Sequence, residues 1–244
     1  MEWLTRTRLL LGEEKLQRLQ QAHVLVVGLG GVGSYAAEQI ARAGVGRMTI
    51  VDGDVISDSN RNRQLPALTS TLGHAKADVV AKRLWDINPD LDLTVINEFL
   101  KEERIAEILD HPYDFVVDAI DTLSPKVFLI LSSLKKGHKL ISSMGAGGKM
   151  NPSEIRIADI SKSYNCNLAR MIRKRIYKFG IRKGFKVVFS PETVDKNHII
   201  FTEGEQNKKT TVGTISYMPA MFGLYAASYV INELTKTLDE VVRN

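Results

Sequence analysis

The stretch His23 to Asp54, HVLVVGLGGVGSYAAEQIARAGVGRMTIVDGD, decides the fold. It opens on the apolar run Val24 to Val27, too short for a core helix and rich in β-branched residues, which reads as a buried strand. Gly28-Leu29-Gly30-Gly31-Val32-Gly33 follows. Tyr35 to Ala43 reads as an alanine-rich helix, and Arg47 to Val51 as a second strand ending at Asp52. That is one βαβ unit. Glycines at 28, 30 and 33 meet the G-x-G-x-x-G spacing, which supplies a tight turn, a close backbone approach to phosphate, and close helix–strand packing. The helix N-terminus then offers free N–H groups and partial positive charge to an anion. Asp52 stands nineteen residues past Gly33, where a carboxylate accepts ribose hydroxyls. In this order the features read as a nucleotide-binding unit rather than a structural turn, with the nucleotide left open.

Outward from this unit the pattern repeats. Leu9 to Leu19 reads as an amphipathic N-terminal helix, with Arg6 and Arg8 ahead of it. Residues 53–64 are polar, without helix or strand period, and form a loop at the carboxyl end of a strand, where open α/β sheets bind ligands. Ala75 to Ile87 reads as a helix carrying Lys76 in its first turn; a cation is unfavourable there, which marks Lys76 as functional. Further strands are expected at Leu93 to Ile96, at Phe115 to Val117 (ending Asp118-Ala119-Ile120-Asp121-Thr122) and at Leu140 to Ser142, with helices at Glu102 to Leu109 and from Pro125. The alternation predicts an α/β, Rossmann-like, mostly parallel sheet with helices on both faces, plus a smaller C-terminal lobe of strands and helices. Gly148-Lys149 is not a phosphate loop, because Ser143 stands where the first glycine belongs and Met150 where a Ser or Thr would ligate Mg²⁺. Glu154 to Ala158 and Lys186 to Phe189 read as strands, and Gly204 to Thr211 as a polar loop. Ile215 to Leu234 is apolar but interrupted by Pro219, Asn232 and Glu233, so it reads as a core or subunit-interface helix and not a membrane span. Residues 1–160 form the nucleotide-binding core, and residues 161–244 a C-terminal part packed on it as one domain.

Composition bounds the function. With 244 residues, 44% hydrophobic and 25% charged, the chain buries a full core. The single cysteine, Cys166, excludes an internal disulfide and any multi-cysteine zinc site, and makes a reducing, cytoplasmic setting the default. Glu13 and Glu14 and the lack of a small-residue cleavage site argue against a signal peptide. Net charge is +5, unevenly distributed: nine of the 33 basic residues, and none of the 28 acidic ones, fall between Lys162 and Lys186. With Tyr164, Tyr177 and Phe179 interleaved, Arg170, Arg173, Lys174, Arg175, Lys178, Arg182 and Lys183 suit a nucleic-acid backbone with stacked bases. The other reading is a solvated helical face.

Gly28 to Gly33, the pair Asp52 and Asp54, Ser59-Asn60-Arg61-Asn62-Arg63-Gln64, Gly73-His74-Ala75-Lys76 and Asp118-Ala119-Ile120-Asp121 together resemble the adenylating enzymes related to ubiquitin activation, which include molybdopterin-synthase and thiazole-pathway adenylyltransferases. The resemblance covers roughly residues 5 to 160. It implies that a carboxylate attacks the α-phosphate of ATP, giving an acyl-adenylate and pyrophosphate. It further implies that the glycines (Gly31 included), Asp52, Asp54 and Gln64 bind the nucleotide, with Asp52 on the ribose. Asn60, Arg63 and Lys76 would hold the triphosphate, Asp121 would hold Mg²⁺, and Arg6 would reach the γ-phosphate of the other subunit in a homodimer. The residue types suit the chemistry, since cations such as Arg63 and Lys76 screen the repulsion between triphosphate and carboxylate and stabilise the leaving pyrophosphate.

Sulfur-carrier-activating members carry paired Cys-x-x-Cys zinc motifs, and this chain has one cysteine, so no zinc lobe is expected. Arg6-Thr7-Arg8-Leu9-Leu10-Leu11-Gly12-Glu13, Ile141 to Gly148 and Val187-Val188-Phe189-Ser190-Pro191-Glu192 are similar to the tRNA threonylcarbamoyladenosine dehydratases of the same superfamily. That resemblance implies ATP-dependent cyclisation of threonylcarbamoyl on an adenosine beside the tRNA anticodon, and admits a protein partner for sulfur transfer. Two alternatives stay open: an activator of a sulfur-carrier or ubiquitin-like protein using Cys166 as acceptor, and an NAD-dependent oxidoreductase, which leaves Arg63, Lys76 and Asp121 without work.

Overall fold

In chain order the helices are α1 (Thr5–Leu11), α2 (Glu13–Gln21), α3 (Gly33–Arg42), α4 (Lys76–Ile87), α5 (Glu102–Ile108), α6 (Leu123–Lys135), α7 (Asn167–Ile176) and α8 (Tyr217–Leu234). The strands are β1 (His23–Val27), β2 (Arg47–Val51), β3 (Asp92–Ile96), β4 (Phe115–Asp118), β5 (Leu140–Ser143), β6 (Arg156–Asp159), β7 (Lys186–Phe189), β8 (Ile199–Phe201) and β9 (Thr210–Val212). The computed structural model describes residues 2–201 and 210–236. The polar loop expected over 204–211 lies outside the described residues, apart from the two threonines that open β9.

Val24 and Val26 of β1 face one side of the main sheet, Leu25 and Val27 the other, and all four are buried. Alternation with both faces buried is what a parallel sheet between two helix layers requires. The seven strands run in the order β3-β2-β1-β4-β5-β7-β6, parallel throughout except that β6 pairs antiparallel with β7. Helices α3, α4 and α8 pack on the face that receives Val24 and Val26, and α5, α6 and α7 on the other. Each fully buried Val, Leu or Ile there contributes roughly 1.5–3 kcal/mol over an exposed one. Residues beyond 160 return to this sheet, since β7 sits between β5 and β6 and α8 packs on α3. At Gly223 of α8 an added Cβ would lie 2.4 Å from the Val32 carbonyl oxygen and 2.9 Å from Tyr35 Cβ. A glycine is therefore what lets α8 press against the start of α3. Among the described residues no helix is long and apolar enough to cross a membrane.

Three local expectations differ. The N-terminal helix expected over 9–19 is two helices, because Gly12 adopts φ 80 and ψ 167 between them, a backbone region open in practice only to glycine. Pro152 sets a short 3₁₀ turn over Pro152–Glu154, so the strand expected from 154 begins at Arg156. Pro125 is the third residue of α6 and not its start.

Candidate active site

The connections after β1 and β4 leave for opposite faces of the sheet, so a crevice opens outside the carboxyl ends of these neighbouring strands. The glycine loop fills one side of it. Gly28 has φ 90, and a Cβ there would sit 2.8 Å from the Ala119 carbonyl oxygen of the loop after β4. At Gly33 a Cβ would fall 1.7 Å from the Gly28 carbonyl oxygen, so α3 starts hard against the strand it follows. Gly31 backs onto Pro219 of α8 and the Arg63 carbonyl, with 2.9 and 3.2 Å left for a Cβ. Gly30 faces the Gln64 side chain, the nearest atom to an added Cβ at 3.6 Å. The Gln64 Oε1 is buried with no hydrogen-bond partner among the described residues. An orphaned acceptor beside an uncluttered glycine is a cradle shaped for a polar ligand.

Asp52, just past β2, joins the two halves. Its carboxylate accepts from Leu29 N at 2.6 Å and Asp54 N at 2.8 Å. Burial pushes this carboxyl above its ordinary value, against the opposing pull of Lys76 and of those two N–H groups. Lys76, the first residue of α4, is buried, and its Nζ donates to Asp54 Oδ2 at 2.7 Å. The Asp54 carboxylate thus offsets a cation placed at a helix N-terminus. In the polar loop, Asn60 is buried and its Oδ1 accepts from Ser57 N at 3.1 Å. Arg63 is held by its own loop, Nη1 donating to Ser59 O and to Asn62 Oδ1, each at 2.8 Å. Asn62 Nδ2 donates to Thr214 O at 3.0 Å, joining this loop to the segment before α8.

On the opposite side Asp121 is exposed at the end of the loop after β4. A buried network sets that loop. Lys126 Nζ lies 2.9 Å from Asp118 Oδ2 and donates to Ile120 O at 2.8 Å, Ser142 Oγ donates to Asp118 Oδ2 at 2.6 Å, and Ile120 N donates to Asp118 Oδ1 at 3.1 Å. Both charged side chains are fully buried. The roles of Lys126, Ser142 and Pro219 were not anticipated from the sequence. For Lys126 a signal existed: one lysine at the start of the apolar run Val127 to Leu131. Lys149, whose phosphate-loop setting the sequence argues against, turns inward and donates to the Glu192 carbonyl at 2.5 Å, and burial pulls its ammonium below the ordinary value. Cys166 is buried at the N-cap of α7.

Arg6 lies apart from its own crevice. It is exposed on α1, next to Leu4, which packs at Gly44 just beyond the far end of α3 from the glycine loop. The basic candidates also separate. Arg173 turns inward, its Nη1 donating to Ser163 O at 2.8 Å and to the Ser163 hydroxyl. Arg170 bonds Asn167 Oδ1 at 2.6 Å, and Arg182 lies over the Tyr177 ring, 5.6 Å from its centroid. Lys174, Arg175, Lys178 and Lys183 are exposed, with Arg175 Nη1 donating to Ser124 Oγ at 3.1 Å. Among the described residues no three His, Cys, Asp or Glu gather to hold a metal. A magnesium bound by one carboxylate and by phosphate oxygens needs no such group, and the Asp121 donor fits it.

The model of the ThiF family matches residues 4–244. The chain belongs to the ThiF family. Among ThiF-family relatives, the tRNA threonylcarbamoyladenosine dehydratase of Bacillus subtilis is 38% identical over 242 residues, covering 96% of this chain and 95% of that protein. The Escherichia coli protein of the same name is 40% identical over 195 residues, 77% of this chain and 73% of its own. A crystal structure of the E. coli dehydratase in complex with ATP superposes with a TM-score of 0.88 at 34% identity, covering all of this chain and 96% of that one. The fold expected from the sequence, a mostly parallel Rossmann-like sheet, is therefore found both in the architecture and in a ThiF-family structure.

Proposed function

We propose that this protein is an ATP-dependent tRNA threonylcarbamoyladenosine dehydratase. The observation that carries the reading is the crevice between β1 and β4, where the glycine loop, Asp52, Lys76 and the Asp121 loop meet, in a chain similar to a B. subtilis dehydratase along 96% of its length. Gly28, Gly31 and Gly33 let the binding loop close onto Ala119, Pro219 and its own strand, Gly30 leaves its open side to the phosphates, Asp52 takes the ribose hydroxyls on the lone pairs its two N–H partners leave free, and Gln64 gains a partner for its buried oxygen. Asn60, Arg63 and Lys76 face the triphosphate, Asp54 releasing Lys76 to it. Mg²⁺ held by Asp121 would neutralise phosphate charge. The threonyl carboxylate attacks the α-phosphorus and pyrophosphate leaves; an atom of the adjoining carbamoyl group then attacks the acyl carbon, AMP leaves, and the ring closes with net loss of water. Arg63 and Lys76 stabilise the charge that builds on the leaving group. No sulfur donor enters these steps, so a sulfur-transfer protein would act outside them.

Arg6 serves the triphosphate of a second copy in a homodimer, a reading supported by its distance from its own glycine loop. The exposed cations of the 162–186 segment, with Arg170 and Arg182, receive the tRNA backbone, and a cytoplasmic location follows from that substrate. Mass analysis of tRNA nucleosides after incubation with the protein, ATP and Mg²⁺ tests the reading: a product lighter by one water, formed only with ATP, is expected, and its absence rejects the activity. Cys166→Ser should cyclise as well as the parent, because an intramolecular nucleophile needs no thioester and serine caps α7 well. Loss of turnover in that variant, with folding and tRNA binding intact, would favour the cysteine-relay alternative.

A further inference from the structure

Between the start of α6 and the outer face of α7 runs a groove of about 270 Å³, lined by Leu123, Met171, Lys174, Arg175 and Lys178. Met171, Lys174 and Arg175 stand at i, i+3 and i+4 and so share one face of α7, and Lys178 joins them from the 3₁₀ turn Tyr177–Phe179 that follows the helix. Leu123 follows Asp121 by two residues, so the Leu123 end of the groove lies at most about 7 Å, Cα to Cα, from the candidate magnesium ligand. Its floor is apolar, with Met171 42% exposed. Its rim is cationic, and the run it belongs to holds no acid from Lys162 to Lys186. Arg175 is not a loose cation, because its guanidinium is tethered to Ser124 Oγ at 3.1 Å.

We propose that this groove takes one unstacked base of the substrate RNA, from a nucleotide flanking the modified adenosine, while Lys174 and Lys178 hold the adjoining phosphates. The identity of the RNA rests on the dehydratase reading. Single-stranded loops are recognised by splaying bases onto apolar or guanidinium surfaces, and a tethered arginine plane beside a methionine thioether is such a surface. The volume lies near the lower end of ligand pockets, roughly 300 Å³, which fits a single base and not a duplex. Seating a neighbour here would present the threonylcarbamoyl group to the Asp121 side of the crevice.

The test is a protein–RNA double-mutant cycle on the full chain. Its probes are an anticodon stem–loop RNA bearing threonylcarbamoyladenosine and two copies of it, each made abasic at one flanking nucleotide. One abasic copy should bind the parent protein about tenfold or more weakly. Met171→Ala/Arg175→Ala, both exposed positions, should remove that discrimination and lose less than about twofold on the abasic change. Lys174→Ala/Lys178→Ala should flatten the salt dependence of binding by about 0.7 per lost contact. Equal abasic losses in parent and variant, no abasic loss in the parent, or no binding of the stem–loop overturn the groove assignment. Turnover of the same RNA is read separately: base-dependent binding without cyclic product overturns the dehydratase reading and leaves the groove, whereas product without groove-dependent binding overturns the groove alone.

Discussion

Arg63 and Lys126 carry the same kind of charge and are placed for different work. Arg63 is partly exposed and, among the described residues, its side chain bonds within its own loop, to Ser59 O and Asn62 Oδ1, so its guanidinium can leave these neutral acceptors for a triphosphate at little cost to the fold. Arg63→Ala should therefore fold normally and lose more than about 3 kcal/mol of transition-state stabilisation, read as kcat/KM for pyrophosphate release. An unchanged rate removes Arg63 from the chemistry. Lys126 is fully buried against Asp118 and the Ile120 carbonyl, beyond the reach of a ligand. Replacing it with methionine leaves the Asp118 carboxylate buried with only Ser142 and the Ile120 N–H, a loss expected to cost about 3–5 kcal/mol. Urea unfolding followed by circular dichroism measures it, and parent-like stability in Lys126→Met would show that this pair does not anchor the Asp121 loop.

At the scale of elements, the packing of α3 against α4 rests partly on one carboxylate. Glu38 of α3 is buried and bonds Arg83 of α4 at 2.5 Å and Arg42 of its own helix at 2.8 Å. Burial pushes its carboxyl up, but the hydrogen bonds and charges of Arg83 and Arg42 outweigh burial and hold it below its ordinary value. A carboxylate with a depressed folded-state value adds stability at pH above its unfolded value and loses it as pH falls through the folded one. Glu38→Gln should thus cost roughly 1–3 kcal/mol near neutral pH. The gap from the parent should close on acidification, and a pH-independent gap in urea midpoints would contradict the assignment. The same elements show what the sequence could reveal. Strands β1, β2 and β4 and helices α3 and α4 were legible to within a residue or two, because continuous apolar runs and a glycine turn are local signals. The break at Gly12 was not, since Leu9 to Leu19 keeps an amphipathic period across it and only the backbone angle separates the helices. Nor was the Asp118–Lys126–Ser142 network, whose members come from β4, α6 and β5 and meet only through the sheet order. The glycines, Asp52 and Lys76 were visible as site candidates because the βαβ motif places them in order; Pro219, from the last helix, becomes a wall of the site only through tertiary packing.

At the scale of the whole molecule the open question is whether one chain completes its own site. Leu9 and Leu10 of α1 are 81% and 84% exposed, an apolar pair on the helix that carries Arg6. That helix packs near the end of α3 remote from the glycine loop. Exposed leucines beside a cation assigned to the triphosphate fit a two-fold contact in which each α1 is covered by, and reaches into, the other copy. If so, Arg6 and Asp121 of one site belong to different chains, and the defects Arg6→Ala and Asp121→Ala should complement. Each variant alone should be inactive. After unfolding and refolding together in equal amounts, half the dimers are mixed, and one site in each has both an intact Asp121 and an intact Arg6 from its partner, so turnover should recover to about a quarter of the parent's. Had Arg6 acted within its own chain, every site in the mixture would lack one residue or the other and no activity would return. Adding Leu9→Asp/Leu10→Asp to both variants should abolish the recovery by keeping the chains apart, with sedimentation reporting monomers; recovery that survives the loss of the dimer would rule out action across it.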